Sequence, residues 1–352
     1  MAIDSSTLTD RIVLREVRGR ILRDAEELMF RVLCEQRALW ATVNPRGVVP
    51  VDGVAGLVGA GGKRLRPSFC AVGFLAAGGN PEDPAIVHAC AALEFLHAFA
   101  LIHDDVLDDS ALRRGVPTIH VRHAAEHGRH HWRGEARRFG EGVAILVGDL
   151  AYAYAGQLTG SLPPPARMIW DELITEMIIG QYLDVAVAAE AIVDAGLAHW
   201  IAVGKSGRYS IHRPLVLGAA IAGRSDLGTV FEHFGAAAGE AFQLRDDLID
   251  AYGDSATAGK LVGQDLEQHK MTLLLTLAAQ RDEHVRKLIA MQEWDVPALR
   301  AALDATGVRQ EIETYINQLV NKARHSIALA PINEVWQQEL AEMAAMVAYR
   351  DR

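Results

Sequence analysis

The sequence lacks several features that whole classes of protein require. It has three cysteines in 352 residues, and Cys34, Cys70 and Cys90 are widely spaced, which excludes a disulfide framework and a cysteine zinc site. We expect buried thiols in a reducing cytoplasm. Basic residues number 35 against 45 acidic ones, giving a net charge of −10. Bulk charge therefore predicts no binding to nucleic acid or to an anionic membrane.

Long apolar runs and alternating strand patterns are also missing. No run approaches the ~18–20 uncharged apolar residues that a membrane span needs, so we expect no membrane span. Residues 1–20 mix acids, bases and hydroxyls, unlike a secretory signal, and we expect them to be disordered in part. Few β-branched stretches alternate with period two, and the pattern predicts an all-α protein.

The chain does have ample apolar residues, at 50% of its composition, enough for a large core. No long linker or fixed-period repeat divides it, so we predict one helical domain over residues 1–352. The predicted helices are those over residues 21–43, 67–77, 85–109, 143–158, 166–189, 191–222, 227–252, 264–279, 296–305, 308–328 and 333–348.

The first chemical signal is the motif Asp104-Asp105-x-x-Asp108. It follows an apolar run, and no glycine or proline interrupts residues 85–109, so it should end a long helix. The helix dipole already places partial negative charge there. Asp104 and Asp108 share a face, and a cluster of like charges is destabilising unless a cation lies among them. The natural candidate is a divalent metal with hard oxygen ligands.

A second motif, Asp246-Asp247-x-x-Asp250, ends another apolar helix. One acidic helix end is often only a solvated surface, but two favour metal held between the helices. We expect two or three Mg²⁺ ions bridging carboxylates to a diphosphate. Departure of metal-bound diphosphate from an allylic carbon leaves a carbocation, which apolar helices behind the acids would keep from water.

Further cations fit a second anionic substrate. Lys63, Arg64 and Arg66 stand on a glycine-rich turn before a helix N-terminus, which suits phosphate, although such a cluster is also common as a surface patch. The basic segment from Arg122 to Arg138 is predicted to be a solvated loop with a short helix, and we infer no role for it from the sequence.

An ordered set of motifs resembles the trans-isoprenyl diphosphate synthase (polyprenyl synthetase) family, over about residues 61–275. The motifs, in order, are Gly61-Gly62-Lys63-Arg64-Leu65-Arg66-Pro67, Glu94-x-x-His97, the first acidic motif, Arg113-Arg114-Gly115, Gly180-Gln181-x-x-Asp184, Lys205-Ser206, Gln243 with the second acidic motif, Gly259-Lys260-x-x-Gly263-x-Asp265, and Lys270. The resemblance implies a bundle of long, mostly antiparallel helices around a deep central cavity, and a homodimer.

The resemblance also implies roles for individual residues. Mg²⁺ would be held directly by Asp104, Asp108 and Asp246, and indirectly by Asp105, Asp247 and Asp250. The allylic diphosphate would be held by Arg113, Lys205 and Lys260. Isopentenyl diphosphate would be held by Lys63, Arg66, His97 and Arg114. Gln243, with oxygens near Lys205 and Ser206, would stabilise the developing cation, and Lys270 is a further substrate-binding candidate.

The implied reaction is ionisation, attack by the isopentenyl double bond, and loss of a proton. The chain departs from the family pattern at three points. Ser206 replaces the usual threonine, His269 stands where glycine is preferred, and Leu274 or Leu275 falls where proline is common. The geometry of Lys270 is the feature these departures put in doubt.

Product length should depend on residues beneath Asp104. At ~1.5 Å per residue, Phe99 and Ala100 lie about 6–8 Å down the helix. Ala100 leaves room for a growing chain and Phe99 narrows the cavity, a pattern that resembles geranylgeranyl diphosphate synthases. The sequence therefore predicts that Phe99→Ala lengthens the product, although Phe99 could also simply pack in the core.

Several alternatives stay open at this point. The product could be farnesyl diphosphate or a longer polyprenyl diphosphate. A class I terpene cyclase also uses an acidic helix face with metals, but it does not need the Lys63/Arg66 site. A non-catalytic partner subunit would usually have lost one acidic motif, and the absence of spans argues against a membrane prenyltransferase.

Overall fold

The computed structural model describes residues 5–253 and 263–350, with side chains from Ile12 onward. The described residues form helices and one short hairpin, which confirms the predicted all-α class. The helices are α1 Ser5–Val43, α2 Val48–Gly59, α3 Leu65–Ala76, α4 Pro84–Leu107, α5 Ile119–Arg129, α6 Ala136–Thr159, α7 Pro164–Glu190, α8 Ala195–Ile201, α9 Arg213–Ile221, α10 Gly228–Tyr252, α11 Gln264–Glu267, α12 Leu273–Arg281, α13 Glu283–Ile289, α14 Val296–Ala305, α15 Val308–Ala328 and α16 Glu334–Ala348.

One continuous apolar core joins these helices, from Ile21 to Ala348. Its largest fully buried side chains include Phe69, Phe95, Tyr154, Trp170 and Phe231. The predicted single domain remains a prediction. A central cavity lies among α4, α7, α8, the π-helical stretch that follows α8, α10, and the loop before α12.

Hydrogen bonds at the helix ends fix the bounds of the two helices that carry the acidic motifs, α4 and α10. The Asp83 side chain accepts a hydrogen bond from the Ala85 backbone and Pro84 occupies the first turn, an arrangement favourable for starting α4. Asp108 caps its C-terminal end. In α10 the Gly253 backbone donates to Ile249 at 2.8 Å. The acids therefore lie at helix C-terminal ends, as predicted.

A two-residue hairpin carries the two arginines after the first acidic motif. Strand β1 (Leu112–Arg113) pairs antiparallel with β2 (Val116–Pro117). The turn residues Arg114 and Gly115 both have positive φ, at 53° and 77°. This is the backbone of a type I′ turn, which favours glycine and matches the twist of paired strands. The hairpin holds Arg113 next to the end of α4.

The helix predicted over residues 191–222 is wrong in its interior. It consists of α8, a π-helical stretch Ala202–His212, and α9. Close backbone packing accounts for the difference. A Cβ built on Gly239 would lie 2.5 Å from the Gly207 carbonyl oxygen, and one on Gly180 would lie 2.9 Å from Lys205 Cα. These tertiary contacts hold the wider turn that hydrophobic periodicity cannot show.

The helix predicted over residues 264–279 is also wrong, because it breaks between α11 and α12. His269 has φ of 57°, a left-handed conformation that costs a non-glycine residue roughly 1–2 kcal/mol. Thr272 then starts α12 by accepting a hydrogen bond from Leu275 at 3.3 Å. The left-handed φ explains why glycine is preferred where His269 stands.

Other boundaries differ from the sequence-based expectations. Helix α1 begins at Ser5 rather than at residue 21, so residues 5–20 are helical. Arg15 and Arg18 pair with Glu339 of α16, a long-range contact that local sequence does not reveal. Helices α2 and α13 were not predicted. Cys34 is exposed rather than buried, whereas Cys70 and Cys90 are buried as expected.

One helix of the described residues, Pro84–Leu107, is long and apolar enough to cross a membrane by length and composition. The expectation concerned uncharged apolar runs of ~18–20 residues, and Glu94 and Asp104 interrupt this helix, so it contains no such run. Most of its apolar window is buried inside the bundle, and its end carries the first acidic motif, so the helix is accounted for as a core element.

Candidate active site

The two acidic motifs open onto one cavity of about 300 Å³. Asp104 of α4 lies on its wall together with Asp246 and Asp247 of α10. The other polar residues that line it are Arg66, His97, Arg113, Gln181, Asp184, Lys205, Ser206, Tyr209, Ser210, Gln243, Asp265, Lys270 and Thr272. The apolar residues that line it are Ala100, Leu101, Met177, Ala198, Ile201, Ala202, Phe242, Met271 and Leu273.

Asp104 is surrounded by cations and amide donors. Gln181 Nε2 donates to its Oδ1 at 3.2 Å, and Lys205 Nζ lies 3.7 Å from the same oxygen. Lys205 also donates to Asp184 Oδ2 at 2.6 Å. The Gly180-Gln181-x-x-Asp184 motif thus has a visible function, since α7 brings Gln181 and Asp184 to Asp104 and Lys205.

The other two acids of the first motif have separate partners. Arg113 donates from Nε and Nη2 to Asp105 Oδ1, at 2.8 and 2.5 Å. Lys270 donates from Nζ to Asp108 Oδ2 at 2.6 Å, and Gln268 donates to the Asp108 carbonyl at 3.0 Å. Lys270 therefore reaches the first acidic motif although a histidine precedes it, because His269 adopts the left-handed conformation that glycine would have supplied.

The second motif is held by side chains and by backbone. Arg350 Nη2 donates to Asp246 Oδ1 at 2.7 Å. Gln243 Nε2 donates to Asp247 Oδ1 at 2.7 Å. Asp250 accepts from the Asp265 backbone at 3.0 Å. Asp247 and Asp250 are buried, which suits supporting positions, whereas Asp246 is more open to the cavity.

Burial and charge act in opposite directions on these carboxyl groups. Burial pushes the pKa of Asp104 up, but the charges of Lys205, Lys270 and Arg113 outweigh it and leave the pKa lowered. Burial and then the Asp104 charge raise the pKa of Asp108. Burial and the Asp265 charge raise the pKa of Asp247. Burial is the larger cause at both residues, and the neighbouring carboxylates add to it.

Tyr209, which the sequence motifs do not include, contacts two of the predicted substrate-binding residues. The ring of Tyr209 lies beneath the Arg66 guanidinium, 4.2 Å from Cζ to the ring centroid. Its hydroxyl lies 3.4 Å from His97 Nδ1, and Arg66 donates to Ser210 Oγ at 2.9 Å. Tyr209 is 5% exposed. It stands four residues after Lys205, a spacing that could have indicated the same helical face.

His97 is a neutral side chain in this arrangement. Burial lowers its pKa well below the usual value, and the charges of Arg66 and Arg114 lower it further. The tautomer of the neutral ring decides whether His97 Nδ1 or the Tyr209 hydroxyl donates in their hydrogen bond. In the tautomer with its hydrogen on Nε2, His97 can donate to an anion without itself being charged.

The glycine-rich turn and the arginine hairpin meet at one edge of the site. Arg114 donates to the Gly61 carbonyl oxygen. Arg64 does not line the cavity. It pairs with Glu26 and Glu94 and so anchors the glycine-rich turn, which gives Glu94 a structural role. Lys63 follows Gly62 on this turn and has contacts of its own.

The two residues expected to set product length diverge. Ala100 lines the cavity, whereas Phe99 does not. The Phe99 ring packs 4.5 Å from the His103 ring and 5.2 Å from the Tyr152 ring of α6. Successive residues of an α-helix lie about 100° apart around its axis, and the contact with Tyr152 places Phe99 on the side of α4 that faces α6. Lys260 lies outside the described residues.

The donor set fits divalent metal. Within residues 5–253 and 263–350 no three acidic, histidine or cysteine side chains form a closed metal cage. Mg²⁺ is usually held by one or two carboxylates and completes its shell with water and substrate phosphates. Carboxylates from α4 and α10 on one cavity meet that requirement, and no closed cage is needed.

An all-α bundle with carboxylate-tipped helices and cationic side chains on one cavity fits the class of enzymes that act on metal-bound prenyl diphosphates. The family model of polyprenyl synthetases matches residues 53–305, more than half of the chain. The chain therefore belongs to the polyprenyl synthetase family and is a prenyltransferase, a synthase of trans-prenyl diphosphates.

Similar proteins agree with this assignment. The chain is 32% identical over 276 residues to a farnesyl diphosphate synthase of Geobacillus stearothermophilus, covering 71% of this chain and 86% of that one. It is 32% identical over 232 residues to a short chain isoprenyl diphosphate synthase of Methanothermobacter thermautotrophicus, covering 64% and 65% of the two chains.

A solved structure is similar over nearly the whole molecule. It is a geranylgeranyl pyrophosphate synthase from Corynebacterium glutamicum, complexed with isoprenyl diphosphate and magnesium. The TM-score is 0.87 at 33% identity, covering 94% of this chain and 99% of that one. The names of these similar proteins differ in product, so family membership leaves product length open.

Proposed function

We propose that the chain condenses isopentenyl diphosphate head-to-tail with an allylic diphosphate, dependent on Mg²⁺, to give geranylgeranyl diphosphate. The observation that carries this proposal is the convergence of Asp104 and Asp246, from two different helices, on a cavity that also holds Lys205 and Arg66. The cavity thus combines metal ligands with separate cations for two anionic substrates.

Metal would be held by Asp104, Asp108 and Asp246, with two or three ions expected. Bound Mg²⁺ neutralises a diphosphate and makes it a better leaving group. Asp105, Asp247 and Asp250 support the arrangement through their bonds to Arg113, Gln243 and the Asp265 backbone.

The protein's own groups then act on the allylic substrate. Lys205 and Arg113 lie beside Asp104 and bind the departing diphosphate, together with Lys260. The Gln243 amide and the Ser206 hydroxyl line the cavity near Lys205, and their oxygens stabilise the allylic cation. The apolar part of the cavity wall, formed by Leu101, Met177 and Ile201 among others, excludes water from the cation.

The second substrate binds to a different group of residues. Arg66 and His97 line the cavity and both contact Tyr209. Lys63 and Arg114 are assigned to the same substrate, although neither is among the residues that line the cavity. A terpene cyclase binds one diphosphate, so a second group of anion-binding residues on the cavity favours a two-substrate condensation. Attack by the isopentenyl double bond on the allylic cation is followed by proton loss to the departing diphosphate.

The test is a condensation assay with labelled isopentenyl diphosphate and each allylic starter, with and without Mg²⁺, and with products resolved by length. We expect a twenty-carbon product that requires the metal. Failure to join five-carbon units with any starter would reject the proposal, whereas a fifteen-carbon or longer product would correct only the chain length. Hydrocarbon formed from a longer diphosphate alone would favour the cyclase.

We propose a homodimer that works in the cytoplasm. Large apolar side chains are exposed along α6 and α7, among them Leu146 at 63% and Tyr182 at 67%. Others on these helices are Ile145, Tyr152, Ile178, Ile179 and Val185. Exposed large apolar side chains of this number support burial against a second copy. Light scattering coupled to size exclusion should give twice the mass of the chain.

A further inference from the structure

Arg350, the last residue that the structure describes, reaches the active site. Arg350 follows α16, and its Nη2 lies 2.7 Å from Asp246 Oδ1. Its guanidinium Cζ lies 4.1 Å from the ring centroid of Phe242, and Phe242 and Asp246 both line the cavity. None of the family motifs in the sequence includes this arginine.

Neighbouring hydrogen bonds hold Arg350 in position for this contact. The Arg350 side chain is 16% exposed. Arg245, one helical position before Asp246, donates to the Ala348 carbonyl at 2.7 Å, and the Tyr349 hydroxyl donates to Asn317 at 2.7 Å. These bonds fix the residues just before Arg350 and direct its side chain to Asp246.

Apart from Asp246 and the face of the Phe242 ring, the surroundings of Arg350 are unfavourable for a cation. Its Nε is buried and has no hydrogen-bond partner among the described residues. Burial lowers the pKa of Arg350, and the charges of Arg245 and Arg66 oppose its own charge. The arginine is therefore held by its carboxylate partner, and a second cation at Asp246 would compete with it.

We propose that Arg350 is a positioning residue of the active site that acts as an internal counter-ion for Asp246 and is displaced when divalent metal binds there. This rests on the proposed function, since it takes Asp246 as a metal ligand. In the metal-free protein Arg350 offsets charge that would otherwise crowd the second acidic motif. Metal binding then requires exchange of one cation for another at the same carboxylate.

The test measures metal affinity without substrate. Mg²⁺ alone is titrated calorimetrically into wild type, Arg350→Gln and Arg350→Lys. We expect Arg350→Gln to bind the metal about three- to tenfold more tightly, because competition is removed, and Arg350→Lys to resemble wild type. In the Asp246→Asn background the substitution at Arg350 should have no effect on Mg²⁺ affinity.

A matched control and a second measurement separate this role from a purely structural one. Arg309 also lies over an aromatic ring, 4.9 Å from the Tyr252 centroid, and pairs with Glu313, but it does not line the cavity. Arg309→Gln should leave Mg²⁺ affinity unchanged. Metal-induced stabilisation, read as the rise in Tm on adding Mg²⁺, should be larger in Arg350→Gln than in wild type.

Unchanged or weaker Mg²⁺ binding by a folded Arg350→Gln protein overturns the proposal, and circular dichroism establishes that it is folded. Weaker binding would mean that the arginine orients Asp246 for the metal instead of competing with it. If wild type binds Mg²⁺ but makes no prenyl diphosphate, the proposed function fails while the counter-ion proposal is still decided by these titrations.

Discussion

At the scale of single residues, the site depends on pairings that the motifs do not state. Lys205 lies between Asp184 and Asp104, and Lys270 reaches Asp108 from the segment between α11 and α12. Tyr209 is the clearest addition, since it contacts both Arg66 and His97. Burial raises the pKa of Tyr209 to about 12, so it remains a neutral hydrogen-bond donor throughout the physiological range.

We predict that Tyr209→Leu raises KM for isopentenyl diphosphate about three- to thirtyfold with little change in kcat. The reason is the lost cation–π contact with Arg66, worth about 0.5–2 kcal/mol. Tyr209→Phe keeps the ring and should change KM less. Steady-state kinetics with isopentenyl diphosphate varied measures this. Tyr154→Phe is the control, since Tyr154 is buried away from the cavity. Equal effects of Leu and Phe at Tyr209 would contradict the cation–π account.

Histidine protonation gives a second test at the residue scale. His199 Nε2 lies 2.6 Å from Glu240 Oε1, linking α8 to α10. This hydrogen bond raises the pKa of His199 above its usual value. Because the pKa is higher in the folded state, the protonated histidine stabilises the folded protein. The stabilisation is complete at pH values below the unfolded-state pKa of about 6.5, and it is lost as the pH rises through the folded-state pKa.

We therefore predict that His199→Gln lowers Tm relative to wild type at pH 5.5 and that the difference shrinks as the pH rises to 9. Thermal melts across this range measure it. A difference that grows with pH would have the wrong sign for this linkage.

At the scale of secondary-structure elements, helix faces decide which residues reach the cavity. Helix α4 presents His97, Ala100, Leu101 and Asp104 to it, while Phe99 faces α6. The π-helical stretch presents Lys205, Ser206, Tyr209 and Ser210. The wider turn of a π-helix brings the same pair of positions in successive turns to one side. In a regular α-helix, with 3.6 residues per turn, positions four apart rotate gradually away from that side.

We predict that Ala100→Phe shortens the product, because the added ring fills space on the cavity wall. From its position against Tyr152, Phe99→Ala should leave the product length unchanged, in contrast to the lengthening expected from sequence. Product analysis by chain length decides between the two. A longer product from Phe99→Ala would show that the growing chain reaches the α4–α6 contact.

We also predict that Gly207→Ala lowers stability by about 2 kcal/mol or more and reduces activity. An added Cβ at Gly207 would lie 2.8 Å from the Gly239 backbone, and forcing these elements apart costs energy typical of overpacking. It would also displace Lys205 and Tyr209. Gly204→Ala is the matched control, as its nearest neighbour would be the Trp200 ring at 3.5 Å. Thermal melts and activity should separate the two variants.

At the scale of the whole molecule, the active site gathers residues that are far apart in the sequence. Arg66 precedes α4, and Arg350 follows the last helix, yet both lie close enough for their charges to oppose each other. Helix α1 is joined to α16 by Arg15 and Arg18. The C-terminal end is thereby fixed to the bundle near the second acidic motif.

The sequence by itself determined the all-α class, the helix-end location of both acidic motifs and most cavity-lining charged residues. Hydrophobic periodicity is local, and the motif order is specific, so Asp104, Lys205 and Asp246 could be identified without coordinates. Only the tertiary structure decided that Phe99 faces away, that residues 202–212 form a π-helix, and that Tyr209 and Arg350 belong to the site. Each of these depends on contacts between residues far apart in sequence, such as Gly207 with Gly239, and such contacts leave no periodic signal in the chain.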